Sequence, residues 1–544
     1  MPNSGQAELA DVGRLARRLV NRAVEAARAQ DQPLRRLLLD HLGPDAAYLP
    51  TVSATWPGYE HVNVQVGLDA WLAGGAGGTG DRRYEVYGIT GIGFMRHMEI
   101  VGIGDFLQSS NNGPFGSAGA GGVMTTAVPC GPDGQTRACV SHGVYLVQDG
   151  EARMAMVIQP VSRGPDPEVV LQIAGSDQDR LDAVLGEIRR LAGERSVFRG
   201  QVISFGPEVF GLGQQAPMNF LERPAVGRDQ IVLPDEVLEN IERQVLGVGR
   251  HSGRLLASGQ HLKRGILLHG APGTGKTHTV RYLLGQLPGV TVIVISGRAL
   301  GRIREACSVA RTLQPAIIVV EDVDLIAEQR EARPGEHPLL FQLLNEMDGL
   351  NSAADVTFLL TTNRADLLEP ALAARPGRVD LAAELPLPDA GARRRLIRLY
   401  QGNLVLDLAK DGSLVKRTEG VTAAFLKELL RKAALLSCEE DEAGQGPIRV
   451  TRAHLLAALD QLLDSRNQLT RVLLGGEQPT GAGAGVPSGA GVPSGAGVPS
   501  GARPGRARYR HSRRARPRQL GSPHQDLRST AHRIASGAWP RCRP

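Results

Sequence analysis

The hydrophobic rhythm of the chain changes several times. Leu9, Val12, Ala16, Leu19, Val20, Ala23, Val24 and Ala27 recur at three- and four-residue steps, which predicts an amphipathic helix over 7–29. From about 50 to 205 the texture is mixed. "GVYLVQDGEARMAMVIQP" sets two apolar runs around Asp149-Gly150, a hairpin signal. "EVVLQIAG" reads as a strand, "DQDRLDAVLGEIRRLAG" as a helix and "SVFRGQVISFG" as a further strand. The glycine-rich segments 73–80 and 112–122 read as loops. Together these predict a separate α+β N-terminal domain over 1–225. From 226 to 389 strands alternate with helices, the signature of a parallel sheet with crossover helices. Residues 390–478 read as helices only. Phe425, Leu426, Leu429, Leu430 and Ala433 share one helical face, and Leu455, Leu456, Leu459, Leu462 and Leu463 repeat after a Thr451 cap. Beyond 478, GAGVPS occurs three times in tandem before an Arg-rich end. Such a segment buries too little apolar area to offset its ordering entropy, so 479–544 is expected to be disordered.

Composition adjusts this picture modestly. A 544-residue chain is too long for one compact core, and 42% hydrophobic with 22% charged residues fits a globular protein. The net charge of +6 is concentrated at the end: Gly501 to Pro544 holds twelve Arg and a single acid, Asp526. The remainder is mildly acidic, which gives no footprint of a nucleic-acid binder. Only the basic tail offers contact with nucleic acid or anionic surfaces. The cysteines, Cys130, Cys139, Cys307, Cys438 and Cys542, form no CxxC pair and are expected as free thiols in a reducing compartment. His61, His97 and His142 are scattered among apolar residues and read as packed or surface histidines rather than ligands. "MPNSGQAELADVGR" has no apolar h-region, so no secretory signal is expected. No run of about 18 apolar residues exists, so no membrane span is expected. The expected location is cytoplasmic.

The chemistry lies in four pieces of the alternating region. "RGILLHGAPGTGKTH" is a strand, a glycine-rich turn and the start of a helix, and it matches G-x-x-x-x-G-K-[ST]. In Gly270-Ala271-Pro272-Gly273-Thr274-Gly275-Lys276-Thr277-His278 the glycines let backbone N–H groups converge on phosphate oxygens. The following helix adds the positive end of its dipole. Lys276 is placed to reach the β/γ phosphates and Thr277 to ligate Mg²⁺. In "PAIIVVEDVDLIAEQR" a strand too apolar to alternate delivers Glu321 and Asp322 to the edge where open α/β sheets bind ligands. One acid is expected to hold Mg²⁺ and the other to polarise a water. In "TFLLTTNRADLL" another apolar strand delivers Thr361, Thr362 and Asn363 to the same edge, where a neutral amide orients water without adding charge. In "EPALAARPGRVD", Arg375 and Arg378 flank Pro-Gly and read as arginine fingers for a neighbouring subunit's γ-phosphate.

These motifs, with "LLNEMDGL" (343–350) and "TEGVTAAFLKELLRKAA", resemble an AAA-type P-loop ATPase, in the clade of the proteasomal ATPases, the membrane AAA proteases and the mitochondrial Rieske-protein translocase. The resemblance covers roughly 230–475. It implies an α/β P-loop NTPase core with a parallel sheet and a C-terminal all-helical lid. It also implies ATP and Mg²⁺ as cofactors, and a homo-oligomeric ring, a hexamer, with ATP between subunits. Lys276 and Thr277 fall in its Walker A motif, Glu321 and Asp322 in Walker B, Asn363 at sensor 1, and Arg375 and Arg378 in the finger pair. Thr277 and Glu321 would be the metal-side residues.

The sequence departs from the clade at several points. The acid order is Glu then Asp, which moves each carboxylate by one methylene, about 1.5 Å. "TVIVISGRALGRIREAC" has no aromatic where unfoldases of the clade grip substrate. Relatives carry Ser-Gly-Ala-Asp near the adenine, where Thr422-Ala423-Ala424-Phe425 stands here. No H-E-x-x-H occurs. The expected function is an ATP-hydrolysing, chaperone-like remodeller of a protein or complex, with the N-terminal domain choosing the client. The alternatives are a nucleotide-gated scaffold with little turnover and a nucleic-acid remodeller recruited by the tail.

Overall fold

The computed structural model describes residues 33–74, 82–90, 102–108, 119–161, 167–205, 218–324, 339–351, 353–366, 378–407, 412–440 and 446–463. The helix expected over 7–29, His97, Arg375 and the tail 479–544 lie outside the described residues.

The first sheet is built from β1 (Thr51–Pro57), β2 (Arg82–Thr90), β3 (Gly119–Gly121), β4 (Met124–Pro129), β5 (Thr136–Asp149), β6 (Ala152–Val161) and β7 (Glu168–Gly175). Its order is β1-β7-β6-β5-β2-β3, with β4 on β5, and its pairs are antiparallel. The hairpin signal at Asp149-Gly150 is the β5–β6 turn: Asp149 faces Ala152, and Gly150 supplies φ +64°. The period of two divides each strand between two cores. Met154, Met156 and Ile158 pack with the helices His61–Leu72 and Gln178–Glu194, whereas Ala155 and Val157 pack with Pro33–Leu42 and Ile103–Gln108. Part of the glycine-rich stretch expected as a loop, Gly119–Gly121, is instead an edge strand on β2. A Cβ on Gly88 would sit 2.0 Å from the Gly122 carbonyl oxygen, so this close approach requires glycine.

The second sheet contains β8 (Val202–Phe205), β9 (Met218–Leu221), β10 (Arg264–His269), β11 (Thr291–Ile295), β12 (Ala316–Val320), β13 (Val356–Thr362) and β14 (Leu381–Glu384), in the order β14-β10-β13-β12-β11-β8-β9. All pairs except β8–β9 are parallel. Both faces are covered, which explains the unbroken apolar runs. Ile318, Val320, Phe358 and Leu360 meet the helices Ile303–Thr312 and Leu339–Asp348. Ile317, Val319 and Leu359 meet Asp235–Glu242 and Lys276–Gly285.

Two strands of this sheet, β8 and β9, come from before residue 226, the expected start of the second domain. Parallel pairing of Val202–Ser204 with Val292–Val294 satisfies the outer backbone groups of β11. Tyr59, Val62, Cys139 and Phe198 share one core cluster with Ile293, Ala310 and Leu313, so the first domain packs directly on the second.

The C-terminal helices are Ala390–Gln401, Ser413–Arg417, Ala423–Glu440 and Arg452–Leu463. Their core holds Phe425, Leu426, Leu429, Leu430, Ala433, Leu455, Leu459 and Leu462. Asp389 caps the first of them by accepting from Ala392 N–H at 2.6 Å, and the Thr451 hydroxyl oxygen accepts from His454 N–H at 3.3 Å. The segment is not helices alone: β15 (Val405–Leu406) and β16 (Arg449–Val450) form a short parallel ribbon.

Candidate nucleotide site

The glycine-rich turn joins the buried strand β10 to the helix beginning at Lys276. Two glycines are required for different reasons. Gly273 has φ +81°, and a Cβ there would lie 2.9 Å from both Thr422 Oγ1 and Ala424 Cβ. Gly275 has φ +109°, and the space its Cβ would take is open. That geometry leaves the N–H groups of the helix start accessible to an anion. The Gly273 carbonyl accepts from Ala424 N–H at 3.1 Å, so the Thr422–Phe425 stretch of the C-terminal helices touches the turn itself. Lys276 is buried and its ammonium donates to the carbonyls of Gly270 (2.8 Å) and Ala271 (3.0 Å). Burial lowers its pKa, and the charges of Asp322 and Asp324 oppose that shift.

The acids leave β12 beside this turn. Glu321 is half-buried, and burial together with the Asp322 charge raises its pKa. A hydrogen bond from the Thr277 hydroxyl and the charge of Arg281 pull the other way. That contact places a hydroxyl and a carboxylate side by side, a hard oxygen pair of the kind Mg²⁺ takes. Asp322 has φ +53°. The left-handed region is costly for most residues, but Asp is one of the few that enter it readily. The unusual Glu-Asp order therefore suits the backbone: the shorter acid stands where the chain turns. Its N–H donates to Thr361 Oγ1 at 3.1 Å, and Val323 N–H donates to the Thr361 carbonyl at 2.9 Å.

Asn363 emerges from β13 and its amide donates to Asp322 Oδ1 at 3.4 Å. Asp324, which the sequence reading passed over, is buried and accepts from Thr362 Oγ1 at 2.9 Å and from Asn363 N–H at 3.3 Å. Its only signal in the sequence was its place two residues beyond the acid pair. The structure thus brings the glycine turn, Lys276, Thr277, Glu321, Asp322 and Asn363 to one sheet edge.

Arg378 is located differently. It is 6% exposed and ion-paired with Asp348 of its own chain, at the end of the helix Leu339–Asp348. Its carbonyl packs on Gly265, where a Cβ would come within 2.0 Å of the Arg378 oxygen. The segment following β11 is a 3₁₀ turn, Gly297–Arg302, that runs into the helix Ile303–Thr312. Among the described residues no cluster of His, Cys, Asp and Glu is set to hold a metal ion, and no helix is long and apolar enough to cross a membrane. His61 and His142 are buried; the His61 Nε2 lies 2.8 Å from the Val140 carbonyl, and His142 Nδ1 lies 3.1 Å from Ser141 Oγ.

Residues 266–387 match the family model of the ATPase family associated with various cellular activities (AAA). The chain is 31% identical over 290 residues to an ATP-dependent zinc metalloprotease FtsH of Rhodococcus erythropolis, an alignment covering 51% of this chain and 32% of that protein. It is 31% identical over 284 residues to FtsH 3 of Sphaerobacter thermophilus, covering 50% and 56%. It is 32% identical over 281 residues to FtsH of Mycobacterium tuberculosis, covering 48% and 36%. The chain therefore spans between about a third and just over half of the length of these curated relatives. With the glycine turn, the acid pair and Asn363 on one edge of a parallel sheet, this is an AAA-type P-loop ATPase domain, and ATP with Mg²⁺ is its cofactor pair.

Proposed function

We propose that the chain hydrolyses ATP and couples the cycle to remodelling of a protein or protein complex. The observation that carries the reading is the contact of Asn363 with Asp322 at the mouth of the phosphate loop. It joins the residue suited to orienting a water with the residue suited to polarising it.

The roles divide as follows. Lys276 gives up its loop carbonyls to hold the β/γ phosphates. Thr277 and Glu321 would hold Mg²⁺, which supplies charge neutralisation on the transferring phosphoryl group. Asp322 polarises the attacking water and Asn363 orients it. Thr422 and Ala424 tie the glycine turn to the C-terminal helices, so those helices act as a lid that registers the state of the loop. The chain assembles as a homo-oligomeric ring, a hexamer, in which Arg375 or Arg378 of one copy meets the γ-phosphate of the next. For Arg378 this requires exchange of its Asp348 partner. The first domain, packed on the ATPase sheet through Tyr59 and Phe198, carries the client surface.

The relatives' zinc protease activity does not extend to this reading, because the sequence contains no H-E-x-x-H. An Asp322→Asn variant held with ATP tests the remodelling claim. It should form a ring by mass measurement and retain a protein client that wild type releases on turnover. An ATP-bound ring that turns over no ATP in the wild type would favour a nucleotide-gated scaffold.

A further inference from the structure

Asp324 lies beyond the acid pair and offers no open face to a nucleotide. It is 7% exposed, and both of its donors come from the end of β13. One of them, the Thr362 hydroxyl, belongs to a fully buried residue and also accepts from Arg364 N–H at 3.0 Å. A single carboxylate oxygen, Oδ1, thus gathers the Thr362 hydroxyl and the Asn363 amide N–H. Through Thr362 it also fixes the N–H of Arg364. These bonds hold the backbone on both sides of Asn363 where the chain leaves the strand.

The other end of the stitch is equally defined. Asp324 follows Asp322 and Val323, whose N–H groups donate to the Thr361 hydroxyl and carbonyl. Besides the Asn363 side-chain contact with Asp322, the segments 322–324 and 361–364 therefore lock together through four hydrogen bonds, two in each direction. With these bonds in place, Asn363 Nδ2 lies 3.4 Å from Asp322 Oδ1.

We propose that Asp324 is a positioning residue for hydrolysis: it holds the Asn363 amide at the Asp322 carboxylate without itself touching nucleotide or water. The inference rests on the ATPase reading for its catalytic consequence, but the positioning can be measured apart from turnover. Misplacing a catalytic group by about 1 Å can lower turnover about 100-fold. Asp324→Ala is expected to lower kcat on that scale while KM for ATP stays near wild type, because the hydrogen bonds of Asp324 run to the end of β13 rather than to the glycine turn. Asp324→Asn keeps an acceptor oxygen for both donors and is expected to recover most of kcat. The Asp324→Ala/Asn363→Ala double variant should be no slower than Asn363→Ala alone, since both changes remove one unit.

Hydrogen exchange at the Asn363 and Arg364 amides supplies the separate readout. It should accelerate in Asp324→Ala and return towards wild type in Asp324→Asn. Additive losses in the double variant, or unchanged exchange at Asn363 in Asp324→Ala, would overturn the proposal. An inactive wild type would instead overturn the ATPase reading, and exchange alone would then decide whether Asp324 positions Asn363. If Asp324→Ala does not fold, failure of Asp324→Asn to retain exchange protection and turnover counts against the proposal.

Discussion

The two seven-stranded sheets have the same number of strands and opposite uses. In the first, antiparallel pairing sends successive strand ends to opposite edges, so polar residues at those ends are dispersed among hairpins. In the second, parallel pairing brings the carboxyl ends of β10, β12 and β13 to a single edge. The glycine turn, the acid pair and Asn363 meet there because of strand direction, although they lie far apart in sequence. Both sheets bury two faces, so burial does not distinguish them; strand direction does.

The comparison predicts that damage to the first sheet is read as stability and damage to the second sheet's edge as turnover. Trp71 is 2% exposed in the first domain's core, and Trp71→Ala should cost about 3–5 kcal/mol by denaturant unfolding. The folded fraction should keep wild-type kcat for ATP. A selective loss of kcat in fully folded Trp71→Ala would break the division.

Asn363→Ala should do the opposite, lowering kcat about 100-fold with little change in unfolding free energy, because the residue is partly exposed at the strand end.

Glu321→Gln sharpens the contrast, because one side chain should show opposing effects on stability and activity. The folded state raises the Glu321 pKa, chiefly through burial. A raised carboxylate pKa means stability that is present below the unfolded value of 4.5 and lost as pH rises through the folded value. At neutral pH the ionised carboxylate therefore carries a folding cost. Removing its charge should raise Tm at pH 7 by about 1–3 °C in the nucleotide-free protein, and the gain should vanish on acidification to below pH 4.5. Turnover should fall in the same variant.

The smallest effect concerns thiols. Burial pushes Cys139 and Cys307, one from each half of the shared core, up to about 12. Alkylation of the folded protein by iodoacetamide should mark exposed Cys438 and leave these two untouched until unfolding.

Much of this was legible in the sequence because the relevant signals are local. The glycine turn, the apolar strands and the 3.6-residue stripes around Leu429 and Leu459 each follow from spacing alone. Four features were not. Strand β8 reads like any short apolar run; its partnership with β11, some ninety residues away, depends on which edge is left unpaired. Gly119–Gly121 has loop composition but forms a strand because Gly88 permits close approach. Asp324 had no role assigned from its place after a strand, and its buried carboxylate is met by a hydroxyl from β13. Arg378 was read as a residue for a neighbouring copy, and nothing local announced its ion pair with Asp348.

The central claim is that Glu321 and Asp322 form a working acid pair in reversed order. Steady-state phosphate release, with ATP binding measured in parallel, tests it most directly. The account predicts ATP-dependent release by the wild type and its loss, by about 100-fold or more, in Asp322→Asn that still binds ATP. Equal release by the wild type and Asp322→Asn would contradict it.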